Sequence, residues 1–381
     1  MSNLISNLEF NKNNPLLQIN KGLLSKIDDQ SLILLGKSPS KREILLISKK
    51  IRSDCSSVFS DLISQVQDKN FIFFLSELSE KVDKYIDDLV KHVLSLDDHL
   101  QPNQSKLSEN GYYFNKLSEE MIDEILDISK KDLEKFRENI KNNKTSREDL
   151  SINTGTNVKV ITKKINLEFK KLGILKDVSN YMKKNYQVIG VALEMSTPKS
   201  TWWQKKESNK KIPKTLYAHL DESHLYPKSI CYLSNVNEQN GPTSFYPKIY
   251  KSLNLNFLQD IVGRIVDTVG RKGSSLFDIY NQNVDQKLEC EIFKSHLSKL
   301  PKELRFYSHF GWYVEPDSNI ENQMVEDEIK LTGTKGTFVV FDGAKVIHRG
   351  GLLEKDERIV LQIVFGPKKN IFQKILRRIF Q

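Results

Sequence analysis

Cysteine is scarce in this chain, with only Cys55, Cys231 and Cys290 in 381 residues. An odd number without paired spacing supplies no disulfide framework, and no N-terminal apolar run of the signal-peptide kind precedes them. A reducing, cytoplasmic setting is the expectation. Long hydrophobic runs are also missing. The apolar stretches, of which Phe71-Ile-Phe-Phe-Leu75 is typical, fall far short of the ~20 residues that cross a bilayer. No internal repeat is visible, which argues against a solenoid or propeller. The net charge of +9 is modest for this length and fits an acidic partner, a membrane surface or a lysine-rich composition alone. A chain this long can bury a sizeable core in one large domain with an accessory one, without a metal or disulfide staple.

Residues 1–150 carry helical periodicity. Leu75, Leu78, Val82, Ile86, Leu89, Val90 and Val93 form one stripe, set against Glu77, Glu80, Lys84 and Asp87. Met121, Ile122, Ile125, Leu126, Phe136 and Ile140 form another. The polar runs Gln101–Ser105 and Lys141–Thr145 separate elements, and the region reads as a helical module or cap. From about Gln187 the texture changes to short β-type runs, Val188–Leu193, Ser229–Leu233, Thr337–Phe341 and Ile359–Phe365. Asn240-Gly-Pro242, Asp342-Gly343 and Gly350-Gly351 mark turns between them. Many short strands with Gly/Pro turns, beside a helical region, predict an α+β protein built on a sandwich or jelly roll. Domain 151–367 is expected to hold this sheet structure, with an insertion over about 249–325 of mixed helix and loop. Residues 368–381 place Ile371, Phe372, Ile375, Leu376, Ile379 and Phe380 on one helical face, with Lys374, Arg377 and Arg378 outside it. Such a basic amphipathic helix packs on its own protein or a second subunit, or lies peripherally on a membrane.

The strongest chemical signal is His219-Leu-Asp221, followed downstream by His348 after Phe341-Asp-Gly, and then by Arg358. A strand turns positions i and i+2 to one side, so one imidazole and one carboxylate can grip the same face of a metal ion. A second imidazole from another strand completes a 2-His-1-carboxylate set that leaves coordination positions open and suits non-heme Fe(II). A structural polar cluster is the plainer alternative.

Together with Tyr226-Pro-Lys-Ser-Ile-Cys-Tyr-Leu-Ser-Asn-Val236 and Asn240-Gly-Pro-Thr-Ser-Phe-Tyr-Pro247, these residues resemble the phytanoyl-CoA dioxygenase-like family of Fe(II)/2-oxoglutarate-dependent oxygenases, over roughly residues 187 to 367. The resemblance implies a double-stranded β-helix (jelly roll, cupin-like) with His219, Asp221 and His348 as iron ligands. It implies 2-oxoglutarate as cosubstrate, decarboxylated to succinate and CO2, and hydroxylation of a small or conjugated organic substrate. Arg358 would meet the far carboxylate of 2-oxoglutarate, a role its planar, permanently charged fork suits. Lys228 is a second candidate for that anion or a solvated loop lysine, and Thr243 is a fainter third. The intact Asp221 favours hydroxylation over halogenation, because related halogenases carry a small residue there. Arg358 is followed by Ile359 and Val360, without the Arg-x-Ser ending of some of these enzymes, and Tyr246-Pro-Lys-Ile249 replaces the family's Pro-Gly-Ser-His. Iron binding should weaken in acid as the histidines protonate.

Other marked residues have competing readings. His224 could join His219 and Asp221 in a zinc site, or contact substrate, or pack its loop. Trp202-Trp203 with Lys205, Lys206, Lys210, Lys211 and Lys214 reads as a lid for an anionic substrate, a single-strand nucleic-acid surface, or a solvated loop. A nucleic-acid role otherwise rests on Ser146–Leu150 through Phe169–Ile174, which lacks a convincing recognition helix. The rival function is a non-catalytic jelly-roll binding or regulatory protein that uses its basic patches and helical N-terminal region.

Overall fold

The computed structural model describes residues 17–36, 40–200, 211–270 and 291–368. The 202–210 aromatic and basic run, Cys290 and the C-terminal segment from residue 369 lie outside the described residues.

The helices expected from periodicity form where their apolar stripes dictate. They follow α1 (Lys21–Leu35) and α2 (Lys41–Ser64), with α3 spanning Lys69–Val93. After a short α4 (Leu107–Asn110) and strand β1 (Tyr112–Lys116), the second stripe becomes α5 (Glu119–Lys141). Their starts are set by side-chain caps: Ser40 and Glu43 form a reciprocal box at α2, and Asp68 accepts from the amides of Asn70 and Phe71 at α3. Strand β2 (Ser151–Ile152), α6 (Thr156–Lys171) and α7 (Ile174–Met182) lead into β3 (Tyr186–Ser196). The remaining strands are β4 (Lys228–Tyr232), β5 (Thr243–Tyr246), β6 (Ile329–Leu331), β7 (Thr337–Phe341), β8 (Ile347–Arg349) and β9 (Arg358–Pro367). Between β5 and β6 lie α8 (Pro247–Ser252), α9 (Phe257–Ile265) and helices Glu291–Lys299 and Asn319–Asp327, the stretch expected as mixed helix and loop.

The strands form two antiparallel sheets. One has the order β1-β7-β4-β9-β3-β2, the other β6-β5-β8. Alternation along each strand shows how they stack. On β7, Phe338 and Val340 face a core shared with α5, α6 and α7, while Val339 and Phe341 join Tyr232, Phe245, Leu331 and Val360 between the sheets. On the small sheet Phe245 points to that inter-sheet core, and its neighbours Tyr246 and Ile347 point outward into a third core. The third core contains the buried faces of α1, α2 and α3, together with α9, Phe306, Phe310, Met324, Ala218 and Leu220. The layers therefore run from helices α5–α7 to the large sheet, the small sheet, and the α1–α3 and α9 layer.

Two packing features carry residues 1–150 into the rest of the chain. The first 150 residues are not purely helical, because β1 pairs with β7 from Tyr112–Phe341 to Lys116–Thr337 as an edge of the large sheet. Nor do α1–α3 pack only among themselves, since their core continues into residues 249–324 and the chain beside His219. Among the described residues no helix is long and apolar enough to cross a membrane.

Candidate metal centre

The His219–Asp221 segment extends the small sheet. His219 and His348 exchange backbone hydrogen bonds of 2.9 and 3.0 Å, and on the other side the Leu220 amide donates to Ser308 O at 2.9 Å. In this extended run His219 and Asp221 share a face, as the i, i+2 spacing predicted. His348 sits next to Phe245 in the β5–β8 register, with its ring against Phe341 at a centroid distance of 4.7 Å. The site thus lies at one edge of the space between the sheets.

One ligand atom from each of His219, Asp221 and His348 falls within a mutual 4.8 Å, a group that could hold a metal ion. The Nε2 atoms of His219 and His348 are 3.8 and 3.7 Å from Asp221 Oδ1. Both rings are oriented from behind. His219 Nδ1 is 2.8 Å from Tyr217 O and His348 Nδ1 is 3.0 Å from Val346 O. A carbonyl only accepts, so each Nδ1 carries the proton and each Nε2 presents its lone pair toward Asp221, the arrangement of a metal-binding imidazole. Tyr217 reaches this position with a left-handed backbone, φ 68, and such strain is characteristic of functional sites.

Charge at the site suits a cation. Burial, and then the neighbouring imidazole, drives His348 down to about 3. Burial also lowers His219. The rings are neutral near pH 7. Burial alone would raise Asp221, but the Lys228 ammonium leads the charges that outweigh it and hold the carboxyl well below its ordinary range. Asp221 is 2% exposed against 21% for the His219 side chain, so access is from the His219 side. Its Oδ2 is buried without a hydrogen-bond partner, a costly state for a carboxylate oxygen unless a cation answers it. Gly343 completes the cradle: a Cβ there would come within 1.9 Å of Asp221 Oδ2 and 2.9 Å of His348 Cε1. The donor set and its surroundings fit a divalent metal.

The remaining sequence candidates are placed as follows. Lys228 begins β4 on the same side as Tyr232 and donates to Asp221 Oδ1 at 2.5 Å, so its immediate partner is the ligand carboxylate. Arg358 begins β9 on the inter-sheet side, buried, with Nη1 on Gly241 O and Nη2 3.4 Å from Ser196 Oγ. Thr243 is buried at the start of β5, its amide donating to the Tyr232 hydroxyl. His224 is not brought together with the three ligands; its Nε2 pairs with Asp260 at 2.9 Å, which favours the packing reading over the zinc one. It lines a groove of about 1070 Å3 bordered by Leu34, Leu94, Phe257, Asp342 and Lys345.

Three groups escaped sequence reasoning. His309 stacks on His219 with rings 4.7 Å apart and 8° from parallel, and lies 3.7 Å from Glu222. Glu222 is buried, and desolvation with the adjacent Asp221 charge raises its carboxyl well above the usual range. Arg264 is buried in α9 and bonds Asp221 O and Ala344 O. No spacing marks His309 as a site residue. Arg264 left one trace, an i, i+4 pairing with Asp260 inside an apolar helix.

No protein-family model and no curated protein matches the chain. Solved structures with similarity include the non-heme alpha ketoglutarate dependent epimerase SnoN from nogalamycin biosynthesis, at 11% identity and a TM-score of 0.33, over 69% of this chain and 80% of that one. HygX from Streptomyces hygroscopicus with nickel and 2-oxoglutarate bound gives 12% and 0.35 over 69% and 84%. The alpha ketoglutarate dependent carbocyclase SnoK gives 13% and 0.35 over 72% and 91%. The similarity is slight by these measures, and the chemistry of the site rests on its own side chains.

Proposed function

We propose that the protein is an Fe(II)/2-oxoglutarate-dependent dioxygenase of the double-stranded β-helix type, hydroxylating a small or conjugated organic substrate. The observation that carries the reading is the pair of imidazoles locked with Nε2 toward a buried carboxylate. Two neutral nitrogen donors and one carboxylate would hold the ion, a donor set suited to non-heme iron. The phytanoyl-CoA dioxygenase-like resemblance of the motifs supports the same chemistry. When bound, the iron with 2-oxoglutarate and oxygen would supply the oxidising power.

The chain's own residues then have distinct duties. His219 and His348 would hold the metal through Nε2, with Tyr217 O and Val346 O keeping the rings oriented. Asp221 supplies the charge, and Lys228 keeps it ionised and in place. Arg358 is assigned the far carboxylate of 2-oxoglutarate, because it is a buried guanidinium on the inter-sheet side and its planar fork matches a carboxylate. His309, flat against His219, forms part of the wall on the ligand's accessible side. The apolar side chains between the sheets keep water from the cosubstrate's path.

Anaerobic protein mixed with Fe(II) and 2-oxoglutarate should develop a weak visible charge-transfer band, and oxygen should then yield succinate. His219→Ala, Asp221→Ala and His348→Ala should abolish both signals. Arg358→Ala should keep the metal and weaken 2-oxoglutarate binding. A full band in either histidine variant overturns the assignment, and a wild-type chain that binds no Fe(II) leaves the non-catalytic binding protein as the better account.

A further inference from the structure

Arg264 lies 43 residues from Asp221 and 80 from Ala344, yet donates to the backbone carbonyl of each. The Ala344 contact is 2.8 Å. Its side chain has no solvent exposure. The third side of the guanidinium is taken by Asp260, with Nε 3.0 and 3.1 Å from the two carboxylate oxygens, and Asp260 in turn holds His224 Nε2 at 2.9 Å. One planar cation therefore joins three pieces of chain: helix α9, the segment carrying His219 and Asp221, and the β7–β8 loop leading to His348.

The location of the two carbonyls matters more than their number. Asp221 O belongs to a ligand residue. Ala344 follows Gly343, whose carbonyl accepts from the Asp221 amide at 2.8 Å and whose Cα packs on the Asp221 carboxylate. Fixing both carbonyls to one rigid fork fixes the separation of the backbone segments that present the carboxylate and the second imidazole. A lysine carries the same charge, but its single ammonium cannot span two carbonyls and a carboxylate.

Resting on the metal reading above, we infer that Arg264 is a positioning residue for the metal centre, a strut that sets the Asp221–His348 spacing from outside the ligand set. Residues that orient metal ligands typically change affinity by about 10- to 100-fold when removed. The strut belongs to the stretch that looked from sequence like an insertion, so α9 is part of the site's construction.

The test is Co(II) titration by visible absorption, with thermal unfolding of the same samples. Arg264→Lys is expected to fold and to bind Co(II) about 10- to 100-fold more weakly, with altered d–d bands. Asp260→Asn, which keeps the guanidinium but loosens its third anchor, is expected to fall between wild type and Arg264→Lys. A folded Arg264→Lys with a wild-type Kd and spectrum, whatever its Tm, overturns the inference and leaves the metal reading intact. If Arg264→Lys does not fold, wild-type affinity in Asp260→Asn overturns it equally. Failure of the wild-type chain to bind Co(II) or Fe(II) removes the metal reading itself, and the strut's role with it.

Discussion

Helix α2 and the run from Ala218 to Ser223 hide their buried side chains by opposite means. In α2 the buried positions Ile44, Ser48, Ile51, Asp54, Cys55, Val58, Phe59 and Leu62 fall on one face at helical spacing, so the period of the helix decides what is hidden. Between Ala218 and Ser223 apolar and ionisable residues are buried side by side: Ala218, Leu220, Asp221 and Glu222. No local period arranges them. Partners for Asp221 and Glu222 come from other segments: Lys228, Arg264 and Gly343 for Asp221, and the Tyr85 hydroxyl on the carbonyl of Glu222, with His309 beside its carboxyl. Helical burial is a local property of the sequence, whereas burial at the metal centre is a contract among distant segments.

Three substitutions would break or sharpen that contrast. The largest effect on stability is expected from Ile51→Ala, which removes a fully buried side chain from α2. It should cost about 2–5 kcal/mol in urea unfolding and leave the Co(II) affinity of the folded protein unchanged; a matching loss of affinity would show that the outer helical layer and the metal centre respond as one. Gly343→Ala should reverse the pattern. Its new methyl meets Asp221 Oδ2, so a cost of about 1–3 kcal/mol should be accompanied by a marked drop in metal affinity, and wild-type binding would deny the cradle. The smallest effect concerns His92 near the end of α3, which burial, and secondarily the Lys184 charge, lowers to about 4. Its folded value is below its unfolded one, so the unfolded chain takes up the proton first. Stability should therefore be complete above about pH 6.5 and decline as pH falls toward 4, by roughly 1–3 kcal/mol from this group. His92→Gln should flatten that part of the unfolding profile; an unchanged slope would assign the acid sensitivity to other histidines.

Legibility followed the same divide. The stripes through Leu75–Val93 and Met121–Ile140 marked α3 and α5, and the β-type runs marked β3, β4, β7 and β9, because each signal is written within one element. The convergence of His219, Asp221 and His348 was legible because i, i+2 spacing on a strand and a motif order encode it. Arg264 and His309 were not, since their relation to the ligands exists only after α9 and the 306–311 segment pack against the strand beside His219. Lys228 was marked as a cation near the site, but its attachment to Asp221 depends on β4 bringing its first residue to the metal edge. The joining of β1 to β7 was hidden for the same reason: a short strand between helices carries no sign of its partner.

The core shared by α1–α3, α9 and the chain flanking His219 has a practical corollary. A fragment lacking α1–α3 would expose Ile261, Val262, Phe306 and Phe310 and lose the Tyr85 hydroxyl that caps Glu222 O. Transplanting the ligand motif without its amino-terminal helices should yield an aggregating polypeptide rather than a minimal catalyst.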